Sequence, residues 1–307
     1  DCFKNLNKNI TIDKGGDPIL VFKRMANHKG LIASNSSFSL WAGILGEINY
    51  FSIVGTTAES PTLSWNEKIE ILEFVKKKEI NRPILFGLGG NDTNQLLREI
   101  NCINKHKVDG ILSVTPYYNR PSQTGLISHY RQIADCSDHP IILYNVPSRT
   151  GVNLASDATL ILSEHPNIIG IKEASGDLEQ CKRISNSKPD DFLLISGNDA
   201  DTLAILKIGG SGSISVIANY KPDKFGKMVQ YFLNNNFDNA LKIQKELKLL
   251  FRLMNLEGNP TSIKTALKTI GLCEKTVRAP LIEGSVYLEN EFRKKESEHT
   301  DPFYHSN

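Results

Sequence analysis

From about residue 50 onward the chain alternates short apolar runs of strand character with amphipathic stretches of helical period. That rhythm commits it to parallel strands joined by helical crossovers, because a parallel neighbour can be reached only through a long connection. Seven strands are expected, at 50–54, 83–87, 110–114, 141–145, 168–172, 192–196 and 212–216. Their apolar residues follow one another without alternation, as in strands covered on both faces. Helix starts stand between them: Ser64-Trp-Asn-Glu67 fits a capping box, and Asp92-Thr-Asn-Gln95 puts an aspartate at a cap. Helical patterns continue at 222–233, 236–253 and 262–270, and 295–307 is polar and reads as a loose tail.

Eight strands close a parallel β/α barrel, whose chemistry sits at the C-terminal strand ends. Several of the expected strands end in reactive or polar side chains: Thr56 and Thr57 after the first, Tyr117 and Tyr118 after the third, Tyr144 on the fourth and Lys172 on the fifth. A doubly wound open sheet competes with the barrel, but it places its ligand after a Gly-rich turn, and Gly87-Leu-Gly-Gly-Asn91 lacks the dinucleotide spacing. The fold expected is therefore α/β, a (β/α)8 TIM-type barrel with a C-terminal helical extension. The divisions are 1–49 as an atypical N-terminal segment, 50–220 as the barrel, 221–294 as C-terminal helices and 295–307 as the tail.

With 307 residues and 40% apolar side chains the chain can bury one large core or two ordinary ones. A formal charge of +2 with scattered lysines gives no footprint for nucleic acid or an anionic membrane, which leaves a small molecule as the expected partner. No window approaches the roughly twenty apolar residues of a membrane span, and residues 1–5 carry no signal-peptide core, so a cytoplasmic location is expected. Five widely spaced cysteines without a Cys-x-x-Cys pair argue for reduced structural thiols and against zinc or a disulfide framework.

The run Ile168-Ile-Gly-Ile-Lys172-Glu ends a buried strand in a lysine. A neutral amine is a nucleophile towards carbonyls, and apolar surroundings favour the neutral form. Taken alone, such a lysine more often only snorkels at a strand end. The neighbouring run Ile141-Ile-Leu-Tyr144-Asn-Val-Pro-Ser-Arg149 ends at the equivalent point in a phenol, so both groups would face one cavity. Tyr117 and Tyr118 read singly as interface or core aromatics, and Thr56, Thr57 and Arg149 as local structural groups.

Together, Gly55-Thr-Thr-Ala-Glu-Ser60, Val114-Thr-Pro-Tyr-Tyr-Asn-Arg-Pro-Ser-Gln123, Tyr144-Asn-Val-Pro-Ser-Arg-Thr-Gly151, Gly170-Ile-Lys-Glu-Ala174, Ser196-Gly-Asn-Asp199 and Gly212-Ser-Ile-Ser-Val216 resemble the dihydrodipicolinate synthases, over residues 50–290 and in the family's order. The resemblance implies a class I, Schiff-base lyase that condenses pyruvate with aspartate semialdehyde on the diaminopimelate route to lysine, without metal or organic cofactor. It implies that Lys172 forms the imine, that Tyr144 is the general acid/base, and that Thr56 relays protons with Tyr118 reaching in from a neighbouring subunit. Thr57 would hold the pyruvate carboxylate, Arg149 that of the second substrate, and Gly197 and Ile214 would line the pocket floor. A homo-oligomer follows, a dimer or dimer of dimers with Tyr117 and Tyr118 at the interface. The alternatives are another pyruvate aldolase, such as an N-acetylneuraminate lyase-like enzyme acting on a sugar acid or hydroxyproline derivative, and a non-catalytic hybrid remnant.

Three departures accompany the resemblance. The strand, turn and helix with which the family opens are not evident in 1–49, so the first β/α unit is expected to be atypical or missing, with 31–34 as a makeshift strand and 38–45 as a short helix if the barrel closes. Residues 17–46 resemble instead the C-terminal motif of α-1,2-fucosyltransferases, which marks the chain as a candidate hybrid. The family's lysine-feedback region falls on Trp65, Lys68, Asn91 and Gln95, where a cationic effector finds little compensating charge.

Overall fold

A parallel sheet leaves no unpaired edge only if its last strand finds its first, and here it does. The computed structural model describes residues 30–34, 50–78 and 82–297. Among them, eight strands form a closed barrel in chain order: β1 Gly30–Ser34, β2 Tyr50–Ile53, β3 Ile84–Gly87, β4 Gly110–Val114, β5 Ile141–Asn145, β6 Ile168–Glu173, β7 Leu193–Ser196 and β8 Gly212–Ser215. The backbone of β1 pairs with β2 through Ile32↔Tyr50 and with β8 through Ile32↔Ile214. Between the two expectations for the first unit, missing or atypical, the structure decides for an atypical one whose strand is present and seals the barrel. The helix considered at 38–45 lies outside the described residues.

Among the described residues the α-helices of six residues or more are α1 Trp65–Lys77, α2 Thr93–Ile103, α3 Gln123–Cys136, α4 Ser156–Ser163, α5 Leu178–Ser187, α6 Thr202–Lys207, α7 Pro222–Leu233, α8 Phe237–Leu256, α9 Thr261–Thr269 and α10 Val286–Ser297. The two start signals operate as expected. Ser64 and Glu67 exchange hydrogen bonds across the first turn of α1, at 3.3 Å from the Glu67 amide to Ser64 Oγ and 2.8 Å from the Ser64 amide to Glu67 Oε2. Asp92 accepts from the amides of Asn94 and Gln95 at the start of α2. Each such cap contributes about 1 kcal/mol by satisfying amides that have no partner within the helix. The polar segment from 295 does not begin as a loose tail: α10 runs through Ser297, held by Leu288 and Phe292, both fully buried on one face.

Three apolar layers follow. Tyr50, Leu85, Leu112, Ile142, Tyr144, Ile169, Leu193, Ile195 and Ile214 fill the barrel. Phe51, Phe86, Ile111, Leu143, Ile168, Ile171 and Leu194 point outward against Leu72, Leu96, Ile100, Leu126, Tyr130, Leu162 and Ile184 of the helices. Phe225, Met228, Leu247, Phe251, Ile263, Leu267, Leu288 and Phe292 join the C-terminal helices to one another. Burying a side chain of this size contributes about 1.5–3 kcal/mol. The register between β5 and β6 carries one irregularity: Ile141 lies opposite Ile168, but Ile142 lies opposite Gly170. Beyond it the pairing is regular, and Tyr144 stands opposite Lys172.

Candidate active site

Alternation on β5 turns Tyr144 into the barrel and Asn145 outward, and β6 does the same with Lys172 and Glu173. Lys172 and Tyr144 are almost entirely removed from solvent, at 4% and 7% exposure. The lysine Nζ lies 4.1 Å from the centre of the tyrosine ring, over its face. An ammonium there is attracted by the ring quadrupole, which holds the amine beside the phenol.

Both groups face a cavity at the C-terminal ends of the strands, with two lobes that share Thr56, Tyr144 and Lys172. The lobe towards the C-terminal helices, about 350 Å³, is also lined by Thr57, Arg149, Gly197, Asp199, Asn255 and Asn259. Arg149 is exposed at the rim and donates from Nη2 to the Asn259 carbonyl at 3.1 Å. Gly197 lies so close beneath the lysine that an added Cβ would meet Lys172 Cγ and Cε at 3.0 Å and Ala174 Cβ at 2.8 Å. Asp199 accepts from the amides of Val216 and Ile217 at 3.2 and 2.8 Å, and desolvation pushes its carboxyl above the usual aspartate range.

The other lobe, about 380 Å³, contains the region of expected lysine feedback, with Trp65, Lys68, Asn91 and Gln95 beside Glu99. Desolvation lowers the Lys68 ammonium from its ordinary range, against the attraction of Glu99. Tyr117 lines this lobe, and its carbonyl accepts from Asn91 Nδ2 at 3.1 Å. Tyr118 does not line either lobe. It is 89% exposed, in a left-handed backbone conformation with φ of 72°. Ile214 is fully buried in the barrel interior and is not among the cavity-lining residues.

Two groups beside the site were not singled out by sequence reasoning, although each falls inside a quoted motif. Glu173, next to the lysine and buried behind it, accepts from Asn145 Nδ2 at 3.0 and 3.2 Å, from Gln180 Nε2 at 2.9 Å and from the Ser175 amide at 2.7 Å. Glu59, two residues beyond Thr57, is buried and paired with Lys264. Among the described residues no group of three or more His, Cys, Asp or Glu side chains is placed to hold a metal ion, and no helix is long and apolar enough to cross a membrane.

This arrangement supplies a shielded amine, an adjacent phenol, hydroxyls at the end of β2 and a guanidinium at the entrance. Such a set can form and break a carbon–nitrogen bond at a carbonyl while holding carboxylates nearby.

Known proteins with the same features carry a consistent description. Residues 37–298 match the model of the dihydrodipicolinate synthetase family. A 4-hydroxy-tetrahydrodipicolinate synthase of Azobacteroides pseudotrichonymphae is 45% identical over 237 residues, covering 76% of this chain and 80% of that one. The enzyme of the same description from Porphyromonas gingivalis is 45% identical over 245 residues, covering 79% and 82%. The crystal structure of dihydrodipicolinate synthase from Thermotoga maritima superposes with a TM-score of 0.85 at 30% identity, covering 88% of this chain and 98% of that one. The family match begins inside the run that resembles a fucosyltransferase motif, so 37–46 fall within it and the hybrid reading gains no support.

Proposed function

This chain belongs to the dihydrodipicolinate synthetase family, and from that premise we infer that it is a lyase joining pyruvate to aspartate semialdehyde, giving 4-hydroxy-tetrahydrodipicolinate for diaminopimelate and lysine synthesis. The observation that carries the assignment of roles is the placement of Lys172 Nζ over the Tyr144 ring, at the meeting point of both lobes.

In this reading the Lys172 amine adds to the pyruvate ketone. Tyr144 passes protons to and from the resulting carbinolamine, water leaves, and an iminium forms. Its positive nitrogen acidifies the neighbouring methyl group; loss of a proton gives an enamine whose carbon attacks the aldehyde of the second substrate. The amino group of that substrate then attacks the iminium carbon, closes the ring and releases Lys172. Thr57, with the backbone at Thr56, holds the pyruvate carboxylate; Arg149 holds the carboxylate of aspartate semialdehyde at the rim, where forked donors suit it. That rim position favours this substrate over a sugar acid. Gly197 leaves the space into which the lysine side chain lies.

The proton relay from Tyr144 continues through Thr56 to Tyr118 of a neighbouring copy. An aromatic side chain this exposed, on a backbone conformation costly for a non-glycine residue, supports insertion into a partner, with Tyr117 beside it. The working form is then a homo-oligomer built from dimers, in the cytoplasm. No glycosyl transfer is assigned to 17–46.

Incubation with pyruvate and borohydride, followed by intact-mass measurement and peptide mapping, tests the reading. A reduced pyruvyl adduct on Lys172, absent in Lys172→Ala, is expected. An adduct on another lysine, or none on folded protein, refutes it.

A further inference from the structure

Thr56, Thr57 and Ala58 form a single 3-10 turn after β2, and the residue that closes it is Glu59, in the left-handed conformation with φ of 57°. The Glu59 amide donates to the Thr56 carbonyl at 3.0 Å. A non-glycine residue holds that conformation only where its surroundings enforce it. Here the enforcement comes from the far end of the chain. The Glu59 carboxylate, 7% exposed, receives the Lys264 ammonium on one oxygen and the Arg278 amide, at 2.6 Å, on the other. Lys264 projects from α9 and also donates to the Thr276 carbonyl at 2.8 Å. The Arg278 guanidinium reaches back to the Thr62 carbonyl at 2.9 Å and forks onto the Glu67 carboxylate, which caps α1. The loop between β2 and α1 is thereby held at its middle and at its α1 end by residues 264–278.

We propose that Glu59 and Lys264 are positioning residues, a buried strut through which the C-terminal helices fix the Thr56–Thr57 turn at the height needed to hold the carboxylate of a 2-oxo acid. This rests on the assignment of that turn to the pyruvate carboxylate. Removing one partner leaves the other charge buried without compensation, and the chain then relaxes by admitting water or by moving the turn. Either change acts on Thr57, two residues away, and leaves Lys172 and Tyr144 on their own strands. The effect is therefore selective: weaker capture of pyruvate, with the chemistry of the bound substrate retained.

Lys264→Met, Lys264→Arg and wild-type enzyme are compared in pyruvate trapping and steady-state kinetics. Lys264→Met is expected to raise the half-saturating pyruvate concentration by about tenfold or more, with the rate at saturation changed less than about threefold and KM for aspartate semialdehyde within about twofold. Lys264→Arg, which keeps the charge and a donor, is expected to recover most of the pyruvate affinity. General loosening of the fold would instead move both substrates together, and that result, or an unchanged pyruvate dependence in folded Lys264→Met, overturns the strut. If Lys264→Met does not fold, the near-isosteric Glu59→Gln is held to the same outcomes. Absence of an adduct in the wild type refutes the assignment of the turn and the strut together; a wild-type adduct with an unmoved variant refutes the strut alone.

Discussion

Replacing Gly197 by alanine places a methyl group in the space the Lys172 side chain occupies. The new Cβ would lie 3.0 Å from Lys172 Cγ and Cε and 2.8 Å from Ala174 Cβ. Carbon atoms in contact settle at about 3.5–4.0 Å, so Lys172 must withdraw by at least ~0.5 Å and Ala174 by at least ~0.7 Å. Ala174 follows β6 directly, so both displacements load the same strand end. A misplacement of ~1 Å at a reacting group can cost ~100-fold in rate, which puts the expected loss in adduct formation between about tenfold and a hundredfold. Overpacking of this kind costs ~1–3 kcal/mol in stability, a fall of roughly 2–12 °C in melting temperature for a chain of this size. The assay is the rate of pyruvyl adduct accumulation under borohydride, read by intact mass beside a melting curve. Gly90→Ala serves as control, because its Cβ meets only Leu96, at an ordinary 3.6 Å. If folded Gly197→Ala traps pyruvate within about twofold of the wild-type rate, the steric argument is wrong.

Three further outcomes are expected. Arg149→Ala should raise KM for aspartate semialdehyde by about 10–100-fold, the worth of a charge-assisted contact, while pyruvate trapping stays within about twofold; a rise shared by both substrates contradicts the rim assignment. Mixing Tyr118→Phe with Tyr144→Phe under subunit exchange should restore about a quarter of the wild-type sites, since half the dimers are mixed and each then carries one intact site; no recovery despite exchange excludes a shared site. His129 is 4% exposed, its Nδ1 is 2.8 Å from Thr93 Oγ1, its Nε2 has no hydrogen-bond partner among the described residues, and burial lowers its pKa from 6.5 to about 4. Above pH ~6.5 the ring is neutral in both states and contributes nothing to their difference. Below that the unfolded chain takes up a proton that the folded chain refuses until about pH 4, so stability falls across that window by up to about 3 kcal/mol. Denaturation curves from pH 7 to 4 should be flatter for His129→Leu, and parallel curves would show that the ring does not carry the slope.

Much of the barrel was legible because strands buried on both faces announce themselves as unbroken apolar runs, and the runs from residue 50 onward correspond to β2 through β8. The first strand was harder. The sequence offers 31–34 only as a makeshift strand conditional on closure, and its pairing with β2 and β8 is what establishes Gly30–Ser34 as the first strand. In α10 only Leu288 and Phe292, one turn apart, are buried, and beyond the adjacent Val286 and Tyr287 the stretch is charged, which is too little periodicity to place the helix from sequence. Lys172 and Tyr144 could be located as two strand ends that bear chemistry. The buried ion pair beside the Thr56–Thr57 turn could not: Glu59 and Lys264 are separated by 205 positions, and no local pattern names the partner of a buried charge. A role for Tyr118 in a partner's site is implied by the family motif alone, since the isolated chain leaves it projecting into solvent.

The irregularity between β5 and β6 has a consequence for how this enzyme tolerates insertions and deletions. Strict alternation from Ile168, which faces the helices, would turn Ile171 into the barrel and leave Lys172 outside it. The observed strand instead has Ile169 inside and Ile171 outside, and the pairing jumps from Ile168 to Gly170 across one step of β5. One supernumerary residue therefore inverts the facing of everything after it. Excision of Ile169 would leave a regular ladder with Lys172 still opposite Tyr144, whereas strict register from Ile168 with Ile169 retained would bring Ile171 opposite Tyr144 and exile the amine to the helical layer, with Glu173 turned into the cavity in its place. The motif would still be printed intact in such a chain, and a search by motif would count it as an enzyme; only the reading frame of the strand distinguishes it from one.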